Sequence, residues 1–378
     1  MNPISLPIYD STKCTLFALG RNAMYAACLS MKVGSGDEVL TPAFDCDGSL
    51  QPFRVLGLEP VFYRSDPSTF EADIGDIKKR ISPNTKLLHV INHFGMPQPW
   101  DDLLALRRET AIPILEDNAY SLFSTYKGRM FGAFGDVAIF SLRKNLPLVD
   151  GGMLRVNNRQ CSFDAPRKNS PFMYQTELGA LLNIIKTKVG LYKLPAPVKN
   201  IVKAFSPSTE PPPPLYSEAE LGWPSWPARD VIGQEFTCDF LRPMSILARR
   251  QLEAFSKDDL DDIARRKRQF YAWLVRELSG VKGITVLWPE IAEGIVPFCV
   301  SIMIEQKRDL VFERLRVRYD VMAWPTLPGE VLRRLGEFPD VELLGRKIVQ
   351  INLLADKVRQ RTFEAYLESL VRDLRTLL

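Results

Sequence analysis

Between residues 16 and 156, short unbroken apolar runs alternate with helix-patterned segments, and this alternation most limits what the chain can fold into. The pattern predicts strands over 38–41, 60–63, 87–91 and 112–115, and helices over 23–32, 48–56, 74–81 and 100–109. Strands that are apolar throughout need cover on both faces, so the expected architecture is α/β, a mostly parallel sheet with helices on each side. In such sheets ligands sit off the carboxyl ends of the strands. Asp45, Asn92, His93, Asp117 and Ser141 each follow a predicted strand and are expected to converge on one mouth.

The rest of the chain has a different pattern. Residues 157–235 carry a somewhat basic helical stretch over 178–192 and then a proline-rich run including Pro211, Pro212, Pro213 and Pro214, which reads as an insertion or crossover without its own core. The basic stretch over 178–205 reads first as a solvated face, with diphosphate recognition as the functional alternative. Helices over 244–256, 260–278, 308–318 and 361–377 mix with strands over 284–287 and 298–304, the mark of a smaller α+β unit. The expected division is a large domain over 1–235 and a small C-terminal domain over 236–378.

Composition excludes several classes. The net charge of +4 over 378 residues, with Lys and Arg scattered, leaves no nucleic-acid footprint. Six cysteines without a C-x-x-C pair and only two histidines, His89 and His93, argue against a metal site and for reduced thiols in a cytoplasmic protein. The N-terminus lacks the pattern of a signal peptide, and no apolar run reaches the roughly 18 residues of a membrane span.

The chemistry gathers around Lys144. It closes the run Ala138-Ile139-Phe140-Ser141-Leu142-Arg143-Lys144 and precedes Asp150-Gly151-Gly152. Upstream, the predicted strand ending in Glu116-Asp117 supplies a carboxylate. A strand-end Asp, then a strand-end Ser with a Lys three residues on, is the set that pyridoxal 5'-phosphate (PLP) requires. The amine condenses with the cofactor's aldehyde, the Asp holds the pyridine nitrogen protonated, and the hydroxyl meets the phosphate. Arg143 is the rival for an anion, but a guanidinium forms no useful imine. Gly20-Arg21-Asn22 opens a helix whose free N–H groups suit the same phosphate. Asp117 has a plainer reading as a cap for a following helix, and Glu116 is expected on the opposite face of its strand. Tyr120 is placed to bond the cofactor's ring hydroxyl or to pack. His93 reads equally as a substrate neighbour or a packed histidine, and Cys46 as a site residue or a small buried hydrophobe.

In these segments the chain resembles the DegT family of PLP-dependent sugar aminotransferases, within the fold type I aminotransferase superfamily. The ordered set runs from Gly34-Ser35-Gly36-Asp37-Glu38-Val39 through Glu59-Pro60-Val61-Phe62, His93-Phe94-Gly95-Met96-Pro97 and Glu116-Asp117-Asn118-Ala119 to Ser141, Lys144 and Gly151-Gly152. It covers residues 16–156 and is faint beyond. The resemblance implies a three-layer fold type I large domain, a nucleotide-linked keto sugar as amino acceptor, glutamate as donor and a homodimer. It makes Lys144 the Schiff-base lysine, Asp117 the pyridinium partner, Ser141 and the Gly20-Arg21-Asn22 turn the phosphate ligands, and Arg242 a weak substrate contact. The chain departs from the family in its Ser-to-Lys spacing, in Tyr120 where Gln or His is usual, and in Cys46 where an aromatic ring often stacks. The expected activity is ping-pong transamination serving polysaccharide or secondary-metabolite sugar synthesis. A sugar dehydratase-like PLP reaction and a non-catalytic binding protein are the alternatives.

Overall fold

The computed structural model describes residues 3–163, 240–323, 327–353 and 360–378. The predicted helix over 178–192, the proline run, the basic stretch over 178–205 and Cys238 lie outside the described residues. Among those described, no helix is long and apolar enough to cross a membrane.

The first half forms a seven-stranded sheet from β1 (Cys14–Phe17), β2 (Glu38–Pro42), β3 (Glu59–Tyr63), β4 (Thr85–Ile91), β5 (Ile114–Asn118), β8 (Val137–Phe140) and β9 (Gly152–Val156). Its order is β1-β9-β8-β5-β4-β2-β3. The pairs from β3 across to β8 are parallel, whereas β9 runs antiparallel to β8 and β1 antiparallel to β9. A two-stranded hairpin, β6 (Thr125–Tyr126) and β7 (Arg129–Met130), stands apart. The mostly parallel sheet expected from the alternation is therefore the one the chain forms.

Helices α1 (Gly20–Met31), α2 (Gln51–Val55), α3 (Ile74–Arg80), α4 (Trp100–Thr110) and the single turn α5 (Leu142–Asn145) connect these strands. α1 is rich in Ala and Met, strong helix formers, and buries eight of its 12 residues. It starts three residues before the expected segment and ends at Met31, one residue short of it. Lys32 takes the left-handed conformation (φ 57°) and its N–H closes on the carbonyls of Cys28 and Leu29.

The second half builds a four-stranded antiparallel sheet in the order β10-β11-β13-β12, from β10 (Ile284–Val286), β11 (Cys299–Ile304), β12 (Val321–Met322) and β13 (Ile348–Asn352). β13 escaped the sequence pattern because a helix over Pro339–Lys347 runs straight into it with no glycine or proline between. The long helix Lys257–Leu278 and the final helix Gln360–Leu377 cover this sheet, and the first of these opens on a reciprocal Ser256–Asp259 cap. The two sheets share one apolar core and are stitched beside the mouth of the first, where the Phe298 N–H donates to the Phe94 carbonyl at 2.7 Å.

Candidate active site

Three chain segments meet where α1 begins. A β-carbon added to Gly20 would lie 3.1 Å from the Ser141 Cβ and 3.5 Å from its Oγ, so the absence of a side chain lets the helix start sit directly against that hydroxyl. From the other side, a β-carbon on Gly152 would fall 2.1 Å from the Leu19 carbonyl oxygen and 2.7 Å from the Gly20 nitrogen. The Gly151 N–H also donates to the Ala18 carbonyl at 2.6 Å. Gly152 is thus the floor beneath the turn that starts α1, a backbone approach no other residue permits. Gly152→Ala is expected to destabilise the fold by about 3 kcal/mol, the upper range for overpacking. Because the displaced group is the Leu19–Gly20 peptide, cofactor affinity should fall alongside the thermal midpoint. A differential scan and a PLP titration check both.

Lys144 stands one turn past Ser141. Its N–H bonds the Ser141 carbonyl at 3.1 Å, and the Asn145 amide ties this turn to β5 through the carbonyls of Ser141 (3.3 Å) and Ala119 (3.2 Å). The Lys144 Nζ donates to the Tyr120 hydroxyl at 2.7 Å. Tyr120 is held between the rings of Phe94 and Phe298, with centroids 5.8 Å and 4.8 Å away. Burial, aided by the nearby Cys46, Asp117 and Asp45, pushes the Tyr120 hydroxyl well above its ordinary range, so it stays protonated. The Cys46 thiol is likewise pushed up, by burial first and Asp45 second, while Lys144 pulls the other way.

Asp117 ends β5 with 4 % of its surface exposed, a buried carboxylate that needs partners. Its Oδ1 accepts the Ala119 N–H at 2.7 Å, and its Oδ2 lies 3.4 Å from the His89 Nε2. A turn rather than a helix follows β5, so Asp117 caps no helix. Glu116 does take the opposite face, where its carboxylate accepts the N–H groups of Phe134 (2.9 Å) and Gly135 (3.0 Å) and the Asn92 amide (3.2 Å). It shapes a loop and stays out of the mouth.

The remaining expected residues divide. Asn22 is buried at the α1 start. The Arg21 guanidinium bonds the Gln51 side chain at 2.9 Å, on the α2 side. Arg242 contributes its carbonyl, which accepts the Ala18 N–H at 3.0 Å, and so runs along the edge of the large sheet at β1. His93 is packed: its Nε2 meets the Phe44 carbonyl at 3.1 Å among the rings of Phe44, Phe70 and Phe94, and burial lowers its pKa to about 4. The histidine that reaches the buried carboxylate is His89, a residue the sequence pattern placed only as a strand member. A polar side chain inside an otherwise apolar buried strand was the signal that it required a partner. Asp45 is also buried, its carboxyl pushed up to about 6 by desolvation against the opposing pull of His89.

The sheet order and its parallel crossovers give a fold shared with solved aminotransferases. The aminotransferase TlmJ from Streptoalloteichus hindustanus superposes with a TM-score of 0.65 at 19% identity, over 97% of this chain and 86% of that one. Residues 10–165 match the DegT/DnrJ/EryC1/StrS aminotransferase family model. The GDP-perosamine synthase of Escherichia coli O157:H7 is 29% identical over 147 residues, 38% of this chain and 40% of that enzyme. That of Caulobacter vibrioides is 31% identical over 141 residues, 37% of this chain and 38% of its own length. The chain thus spans about two fifths of the curated relatives it matches.

Proposed function

We propose that this protein is a PLP-dependent aminotransferase that moves an amino group from an amino acid, glutamate by preference, to a nucleotide-linked keto sugar. The observation that carries this reading is the Lys144–Tyr120 contact at 2.7 Å, one turn past the Ser141 that Gly20 abuts and within electrostatic reach of the buried Asp117. The residues fit the cofactor: a helix start pressed on a hydroxyl for the phosphate, a buried carboxylate for the ring nitrogen, and a primary amine beside a protonated phenol for the aldehyde end. When bound, PLP supplies an electron sink that lets the carbon bearing the amine give up its proton and its nitrogen pass to a second carbonyl. The chain's own groups do the rest. Gly20, Arg21, Asn22 and Ser141 would hold the phosphate, Asp117 would face the ring nitrogen and favour its protonated form, and the Tyr120 hydroxyl fixes where the Lys144 amine stands. Lys144 Nζ would be the group that moves the proton from the donor's α-carbon to its new carbon.

The sugar acceptor rests on the family match over residues 10–165 and on the printed activity of the perosamine synthases. A cytoplasmic homodimer and a place in polysaccharide synthesis belong to the same proposal, the dimer testable by sedimentation at micromolar protein. The dehydratase-like reading is less favoured because sugar dehydratases on this scaffold resemble the family with histidine in place of the lysine, whereas Lys144 is present here.

A half-reaction tests the reading. Protein loaded with PLP and mixed with excess glutamate, without acceptor, is expected to lose its absorbance near 400 nm (about, from the cofactor's chemistry) and release one 2-oxoglutarate per site. Retention of the band, with no keto acid from glutamate or any other common amino acid, would remove transamination from consideration.

A further inference from the structure

We infer that Thr41 and His89 form a positioning pair that fixes the Asp117 carboxylate, and through it sets the protonation of the cofactor's ring nitrogen. The inference rests on the PLP reading above and adds two residues to it. Three adjacent parallel strands create the pair. Leu40 of β2 faces Leu88 of β4, so the next residues, Thr41 and His89, are neighbours on the other face. Ile91 of β4 faces Asp117 of β5, and His89, two residues before Ile91, shares that face. The imidazole therefore bridges β2 and β5, its Nδ1 2.9 Å from the Thr41 hydroxyl and its Nε2 3.4 Å from the Asp117 Oδ2.

The carboxylate fixes the direction of one of these bonds. An ionised Asp117 only accepts, so the contact requires the proton on Nε2. With Nε2 donating to Asp117, Nδ1 is left to pair with the Thr41 hydroxyl. All three side chains are buried, His89 and Thr41 completely, and the Phe53 ring stands edge-on 5.3 Å away from the imidazole. The other ionisable groups nearby are engaged elsewhere. Asp45 accepts from the Cys46 N–H at 2.6 Å and from the Ser49 hydroxyl, and His93 bonds the Phe44 carbonyl. Asp117 thus receives two N–H donors, from Ala119 and His89, and donors to the charged form favour it. With the His89 donor gone, the proton that Asp117 shares with the ring nitrogen shifts toward the carboxylate.

The test reads that proton directly. Protein is loaded with PLP labelled with 15N in the ring, and the nitrogen resonance is compared among variants at one pH. His89→Leu is expected to move the resonance toward the unprotonated pyridine value, and Thr41→Val to move it part of the way. His89→Gln should keep the wild-type position, since its amide can donate to Asp117 and accept from Thr41. A general loss of packing would not sort the variants in this order. An unchanged resonance in His89→Leu overturns the inference; if that variant does not fold, an unchanged resonance in Thr41→Val overturns it equally. Absence of the band near 400 nm in the wild type (about, as before) would instead overturn the PLP reading and this inference with it.

Discussion

Lys144→Ala is expected to abolish the absorbance near 400 nm (about, from the cofactor's chemistry) and to slow amino transfer by at least about 10³-fold, within the range for removal of a general acid–base group. The loss is large because two tasks end together. The amine no longer captures the aldehyde, and the amine that meets the Tyr120 hydroxyl is gone. The proton on the donor's α-carbon also loses its acceptor. Arg143, the neighbouring cation, cannot substitute, because its guanidinium holds its protons at neutral pH. The fold should be little affected. Lys144 is half-buried in a single helical turn, and the turn itself is tied by the Asn145 amide rather than by the lysine side chain. Hence the thermal midpoint should stay near that of the wild type, and PLP should still bind, more weakly, through the phosphate end. Added methylamine is expected to restore part of the proton transfer. A variant whose spectrum matches the wild type would show that the reactive amine lies elsewhere.

The central parallel strands and their ends were legible because each rests on local information, namely segments of four to seven residues with apolar cores broken by turn residues. Once β5 and β8 are recognised as adjacent members of a parallel sheet, Asp117 and Ser141 must emerge at the same edge, and Lys144 follows one turn later. What escaped notice depends on pairing between strands far apart in sequence. His89 finds Asp117 28 residues away and Thr41 48 residues away, and only the order β5-β4-β2 brings the three together. No periodicity within β4 encodes that. The Gly151-Gly152 pair is visible in the sequence, but its partner is not: Gly152 sits at the start of β9 with the Leu19–Gly20 peptide on top of it. The His93 ambiguity was likewise tertiary, decided by Phe70, which arrives from a loop with a left-handed backbone (φ 62°) and fills the space beside the imidazole.

Asp117→Asn is the sharper probe of how the site uses charge. The amide keeps the shape of the side chain and still accepts the Ala119 N–H, so packing at the end of β5 should persist and stability should change by less than about 1 kcal/mol. The negative charge is what disappears. A ring nitrogen facing a neutral amide no longer retains its proton at neutral pH, and electrostatic stabilisation of the negative charge that develops during proton removal is lost. Removal of one such preorganised electrostatic partner costs about 10²–10³-fold in kcat. The attachment to Lys144 does not depend on that charge, so the band near 400 nm (about, as above) should remain. This separates the variant from Lys144→Ala, which loses band and turnover together. The His89→Leu variant should fall between wild type and Asp117→Asn in turnover, because it weakens the same charge without removing it. Should Asp117→Asn retain turnover within about threefold of wild type, a loss well under the cost of one such partner, the carboxylate would not be the partner of the ring, and the buried ion would need another explanation in the sheet.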